Sequence, residues 1–252
     1  MDQIKVFALL SYLKVDRHEQ NQGFTLVELL VALFIGGIIL IAGTSALINL
    51  LRANEQLESK TTRRANLSRT LKVMENDIRS AKAITQEVSG GNCDSGKVSA
   101  TECLVLTFPI DYSRELNKKC TSNTIEAQVY YGFDDISKGN QTWLKPGVLR
   151  RKVFCRDSSG AMVRTNWMVV ADGLISVNET QPTTICHQED LSWTGEMEIY
   201  GLDSTDKGGF RFCLQENTND NRLVRVFLYG HIIGGNSNNQ IMVNTTTFAR
   251  GL

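Results

Sequence analysis

Apolar residues are distributed along this chain in three regimes. A mixed segment over residues 1–22 leads into LLVALFIGGIILIAGTSALINLL, which covers residues 29–51 without one charge. That run is apolar on every side, so it has no polar face to turn to water. At 1.5 Å rise per residue it predicts a helix of about 35 Å, enough to cross a hydrocarbon core of about 30 Å. A secretory signal peptide would have an apolar region of only about 7–15 residues and a small-residue cleavage site behind it. Here the run leads through Arg52 and Glu55 into further helix-forming sequence, so a single membrane-crossing anchor is the expectation.

The second regime is amphipathic. Leu67, Leu71, Met74, Ile78, Ala81 and Ile84 recur at spacings of four and three, with Arg69, Lys72, Glu75, Arg79 and Lys82 between them. This stripe predicts that the anchor helix continues to about residue 88, ended by Gly90-Gly91, and lays one face on a globular domain. Residues 52–66 carry a weaker stripe and are expected to stand clear of that domain. The repeat is too short for a coiled coil.

From Cys93 the period drops to two. Ile125, Ala127, Val129, Tyr131 and Phe133 alternate with Glu126, Gln128 and Tyr130, as in a half-buried strand. Further strands are predicted over 104–110, 148–155, 167–171, 196–200, 209–214, 223–233 and 241–248. Turn-rich stretches at 134–140, 157–160, 203–209, 216–221 and 234–239 separate them. The predicted fold class is α+β: a long N-terminal helix, transmembrane then amphipathic, packed on a C-terminal antiparallel β-sheet domain. No internal repeat or domain linker interrupts it.

Charge and cysteine narrow the function classes. Lys+Arg of 27 balance Asp+Glu of 27, and residues 89–252 hold 16 Lys/Arg against 18 Asp/Glu, net −2, which disfavours nucleic acid as a partner. All six cysteines, Cys93, Cys103, Cys120, Cys155, Cys186 and Cys213, lie in the β-rich part. An even count on one side of a membrane reads as up to three disulfides in an oxidising compartment, with Cys93 and Cys103 the nearest pair in sequence. The alternative, a zinc site, lacks standard spacing and has only His187 beside a cysteine.

Other chemistry finds no carriers. Residues 91–98 nearly spell a phosphate-binding loop, but Val98 stands where Ser or Thr should hold magnesium, and the loop would follow a helix and enter a strand. Asp134, Asp135, Asp203 and Asp206 could gather calcium, yet acidic turns are ordinarily solvated. Trp143, Trp167 and Trp193 are expected in the core or on strand faces. With no nucleophile elbow, metalloprotease motif or catalytic triad, the chain is not expected to be an enzyme and no cofactor is implied.

The segment ahead of the apolar run carries the specific signal. Gly23-Phe24-Thr25-Leu26-Val27-Glu28-Leu29-Leu30-Val31-Ala32 resembles the cleavage and methylation signature of type IV prepilins and of the pseudopilins of type II secretion. The resemblance implies that a membrane-embedded prepilin peptidase/methyltransferase cuts after Gly23 on the cytoplasmic face and N-methylates Phe24. A glycine suits the cut because a residue without Cβ lets backbone lie close against a protease. Glu28 is a carboxylate at membrane depth, which costs a few kcal/mol and marks function; the resemblance implies that it meets the free amine of a neighbouring subunit's Phe24. Gly36, Gly37 and Gly43 would let neighbouring helices approach closely.

The organisation implied is a leader over 1–23, an assembly helix over 24–51, an amphipathic helix over 52–88 and a periplasmic β-rich domain over 89–252. Residues 52–88 hold eight Lys/Arg against five Asp/Glu, a bias that alone would place the C-terminal side in the cytoplasm; the signature and the cysteines outweigh it. Residues 170–174 and the closing strand resemble larger minor pilins and the J-type minor pseudopilin. The function implied is a non-catalytic minor subunit of a type IV pilus or pseudopilus in a bacterial inner membrane, whose partners are other pilins and the inner-membrane assembly platform. Alternatives are a tip adhesin or ligand-binding subunit, a polysaccharide-secretion pseudopilin, and a plain single-pass envelope protein.

Overall fold

A computed structural model of the protein describes residues 25–88, 93, 102–108, 120, 124–136, 142–164, 166–176, 186, 197–201, 208–215, 222–232 and 240–250. The chain forms two units, Met1–Arg52 and Ala53–Leu252. One helix, α1 (Leu26–Ser80), supplies the described part of the first and opens the second. In the first unit every side chain from Thr25 to Arg52 is exposed. Leu26, Phe34 and Leu40 leave about 70% or more of their surface open, an apolar expanse that water does not tolerate. This part of α1 is long and apolar enough to cross a membrane.

In the second unit α1 buries Arg63, Leu67, Thr70, Leu71, Met74, Asp77 and Ile78, one stripe at spacings of three and four. The stripe therefore starts at Arg63, inside the stretch expected to stand clear. The helix also stops at Ser80 rather than near residue 88. Ala81 N–H donates to Ile78 O at 3.1 Å and Lys82 N–H to Thr107 O at 2.7 Å, so the backbone leaves the helix directly for a strand. Residues 83–88 form β1 (Ala83–Val88), paired antiparallel with β2 (Glu102–Phe108). Ala81 and Ile84 are buried as predicted from the stripe, but from a turn and a strand; β-branched Ile84 and Thr85 with a partner strand prevail over helical spacing.

The remaining strands are β3 (Thr124–Asp135), β4 (Gly147–Asp157), β5 (Met162–Arg164), β6 (Met168–Leu174), β7 (Met197–Gly201), β8 (Phe210–Gln215), β9 (Leu223–His231) and β10 (Gln240–Phe248). All described pairings are antiparallel, in the order β1-β2-β3-β4-β6-β9-β8-β7, with β10 on β9 and β5 on β4. The sheet curls, and its inner face takes the helix: Leu104, Leu106, Val129, Tyr131, Phe133, Phe210, Phe212, Val226 and Leu228 share one core with Leu67, Leu71, Met74 and Ile78. Asp134 and Asp135, expected in a turn, end β3 instead. The turn after β4 does form: Asp157 accepts from Ser159 N and Oγ and from Ala161 N, and Gly160 takes φ +84°. The Ser159 hydroxyl foremost holds the Asp157 carboxyl below the usual range.

Three disulfides tie connecting segments to strands. Cys93–Cys103 lies under the outer face with Val105, Tyr130 and Phe154; Cys120–Cys155 lies in the main core. Cys186–Cys213 packs with Ile175, Phe227 and Tyr229. No described cysteine is free. In each bridge one cysteine sits on a strand and the other lies between strands, so the bonds fix chain that the sheet ladder does not reach. Bridges over loops of this size contribute about 2–4 kcal/mol each.

Helix and sheet are joined by a buried polar cluster. Tyr131 Oη donates to Asp77 Oδ2 at 2.6 Å, and Arg151 Nε donates to the same oxygen at 2.9 Å and to Tyr131 Oη at 3.2 Å. Asp77 is thus neutralised by groups from β3 and β4. We expect Asp77→Ala to cost about 3 kcal/mol in chemical unfolding, because it takes the partner from the largely covered Arg151 guanidinium. Burial, and then the Asp77 carboxylate, push the Tyr131 hydroxyl well above its ordinary value. A raised pKa means that the folded state holds the proton more tightly. Its contribution is therefore whole below about pH 10 and declines as pH climbs towards the raised value. In an alkaline titration, the Tyr131 phenolate signal should be absent at the ordinary tyrosine midpoint and develop only when the domain unfolds.

Candidate functional site

The N-terminus of α1 is built by a reciprocal cap. Thr25 is the last residue before the helix. Glu28 accepts at Oε2 from Thr25 N and from Thr25 Oγ1, both at 3.0 Å, while Glu28 N donates to Thr25 Oγ1 at 3.3 Å. Leu29 N–H closes the first turn on Thr25 O at 3.2 Å. Side chain three residues into the helix and side chain of the cap residue thus satisfy each other's backbone, as a capping box requires. The arrangement also sets a carboxylate in the first turn, where the helix dipole favours negative charge.

This gives Glu28 a structural task within its own chain that the resemblance did not supply. The signal was present in the sequence, since Thr-x-x-Glu before an apolar run is the spacing of a capping box. It was overshadowed by the question of what a carboxylate does at membrane depth. Gly23 and Phe24, the expected cleavage and methylation positions, lie outside the described residues. Gly36, Gly37 and Gly43 have nothing within 4 Å of where a Cβ would stand, so packing within this chain does not require glycine there.

The other candidates separate by placement. Asp134 accepts from Arg150 Nε at 2.7 Å and Asp135 Oδ2 accepts from Ser176 Oγ at 2.9 Å, so both serve the fold; Asp203 and Asp206 lie outside the described residues. Among the described residues no three His, Cys, Asp or Glu gather as metal ligands. Trp167 is half-buried beneath Lys152, whose Nζ is 5.4 Å from the ring centroid. Trp143 departs from the expectation of a core or strand residue: it is 45% exposed, in the bend before β4. Trp193, His187 and the loop over 91–98, Cys93 apart, lie outside the described residues.

If the cap holds the helix end, Thr25→Ala should loosen it by about 1 kcal/mol. Amide exchange of Glu28 and its neighbours in detergent micelles should then speed up about fivefold, with the globular unit unchanged.

Residues 20–44 match the prokaryotic N-terminal methylation motif. No curated protein and no solved structure matches the chain. The motif therefore sits on the capped end of an apolar, membrane-anchoring helix, and this placement supports a type IV pilin-like protein.

Proposed function

We propose that this protein is a non-catalytic minor subunit of a type IV pilus or of a type II secretion-like pseudopilus. The observation that carries the reading is the methylation motif over residues 20–44 on a helix whose side chains from Thr25 to Arg52 are all exposed. A surface of that kind needs lipid or other helices around it, and a filament subunit uses both in turn. The prepilin peptidase/methyltransferase cuts after Gly23 at the cytoplasmic face and methylates Phe24. The C-terminal domain lies in the periplasm, where three disulfides are at home. Neighbouring pilins and the inner-membrane assembly platform are its partners.

In the membrane, the Glu28 carboxylate is held by its own Thr25. On assembly, the amine of a neighbour's Phe24 offers the carboxylate a cationic donor in place of neutral ones, adding ion-pair attraction to the hydrogen bond. Exchange of lipid for neighbouring helices then costs the carboxylate little and sets the axial stagger between subunits. A reading as a ligand-binding tip subunit draws on Trp143, whose exposed ring stands at a groove shared with Asn66, Arg69 and Asp172.

Intact mass in cells with and without the peptidase tests the reading. The expected loss matches residues 1–23 with one methyl added on Phe24, and Gly23→Arg should keep the precursor mass. Glu28→Ala should be cut normally yet be missing from sheared fibres. An unchanged mass in peptidase-positive cells overturns the filament reading.

A further inference from the structure

A tryptophan ring ordinarily keeps most of its surface covered. Trp143 is 45% exposed, and the chain that carries it is fixed rather than loose. Two bonds to β6 hold the next residue: Leu144 N–H donates to Asp172 Oδ2 at 3.1 Å, and Leu144 O accepts from Gly173 N–H at 2.7 Å. Asp172 is in turn tied to α1, since Arg63 Nη1 donates to its carbonyl at 2.9 Å. The ring is therefore presented by a frame already in place, which lowers the ordering cost of anything that stacks on it.

Beside the ring lies a groove of about 270 Å³ between α1 and β6, lined among others by Asn66, Arg69, Val169, Val170 and Asp172. Its walls divide by chemistry. The indole and the two valines offer apolar surface, whereas Asn66 and Arg69, three apart and so neighbours on one helix face, offer polar groups. Both are exposed, and neither the Asn66 amide nor the Arg69 guanidinium has a partner among the described residues. Asp172 differs: its Oδ1 lies 3.4 Å from Arg63 Nη1 and its Oδ2 accepts from Leu144 N–H, so its charge is balanced within the chain. The charge left over in the groove is that of Arg69. Glu55 and Glu58 line the adjoining groove with Leu144, so an anion is drawn to the Arg69 end and repelled from the other.

These features select among occupants. The volume falls below the roughly 300–1,000 Å³ of clefts that take drug-sized molecules, so the groove takes one ring and not a helix. A peptide adding to β6 as a strand meets a carbonyl already in use, because Val170 O accepts from Thr70 Oγ1 at 2.9 Å. A wholly apolar ligand would desolvate Asn66 and Arg69 without satisfying them. A sugar ring has the matching division: C–H faces for the electron-rich face of an indole, and a rim of oxygens for an amide and a guanidinium. A carboxylate on that rim takes the guanidinium as a bidentate pair, the geometry arginine favours.

We propose that the Trp143 groove binds an acidic saccharide, its pyranose ring stacked on Trp143, its carboxylate on Arg69 and a hydroxyl on Asn66. The inference rests on the reading of this groove as a ligand site and deepens it; it does not depend on the cut at Gly23.

The test is ligand-detected NMR on the full chain, in micelles of a detergent without a sugar headgroup, with trigalacturonate as probe and neutral galactotriose as control. The probe should bind with a Kd of roughly 1 mM, and the neutral trimer about tenfold more weakly. Trp143→Ala and Arg69→Gln should each weaken the probe about tenfold, while Trp143→Phe recovers most of the loss. Both side chains are exposed, so the unfolding midpoint should not move. At about four times Kd, the probe should slow exchange of the Gly173 N–H about fivefold. Equal binding of the neutral trimer overturns the acidic class while keeping a ligand site; no binding of either overturns both readings. Full displacement of the probe by equimolar benzoate, or binding that Trp143→Ala leaves intact, overturns the proposal. Gly173 exchange that slows with the chain's own concentration, and not with probe, makes a second copy the occupant and overturns it as well.

Discussion

A single carboxylate beneath a helix sets the register of the globular unit. The apolar stripe Leu67, Leu71, Met74 and Ile78 would bury nearly as well if α1 slid one turn along the sheet, because hydrophobic burial is non-directional. Asp77 forbids the slide. Only in the observed register do Tyr131 of β3 and Arg151 of β4 meet its Oδ2, and a buried charge without such partners costs several kcal/mol. Two further polar groups repeat this at intervals of seven residues. Thr70 Oγ1 donates to Val170 O at 2.9 Å, and Arg63 Nη1 donates to Asp172 O at 2.9 Å.

The sheet is shaped to admit that line of polar groups. β6 meets β9 at Leu174↔Gly230, and a glycine stands on each side of the crossing where α1 comes closest. A Cβ at Gly230 would sit 2.7 Å from Leu67 Cδ1, and one at Gly173 would collide with the Arg63 guanidinium. Gly173 also holds φ +63°, which a side chain resists. Asp172 meanwhile accepts from Leu144 N at 3.1 Å, so one residue binds the helix on one side and the segment ahead of β4 on the other. By comparison, Lys72–Glu75 and Arg79–Glu75 lie on the open face of α1, where ion pairs contribute little.

What the sequence made legible follows from which signals are periodic. Of the ten strands among the described residues, apolar runs bounded by turn signals placed eight, and alternation marked β3, where Ala127, Val129, Tyr131 and Phe133 face the core. β5 has three residues, too few to show a period. β1 was read as helix because Ala81 and Ile84 fall three apart, which both a helix and a turn followed by a strand allow; the deciding factor, pairing with β2, is non-local. Arg63, Thr70 and Asp77 were invisible for a different reason. A search for apolar stripes treats polar residues as gaps, and nothing local says that Asp77 will find Tyr131 and Arg151, which are 54 and 74 residues further along. At the N-terminus the motif drew the expectation to Gly23, Phe24 and Glu28, whereas Thr25 was read only as part of the motif and its capping role came from the structure.

Thr25 matters because it removes an apparent contradiction in the anchor. A bare carboxylate at membrane depth would tend to draw water in or push the helix end outward. With its Oε2 bonded to Thr25 N and Oγ1, Glu28 satisfies the helix's own orphan donors and is satisfied by them, a set of bonds the helix end needs in any solvent. The cap is also short-range and made of neutral donors, so in the assembly proposed above an ammonium could displace it without disturbing the turns that follow. Capping explains a threonine three positions ahead of the carboxylate better than helix propensity does, since Thr is a poor helix former and a good cap.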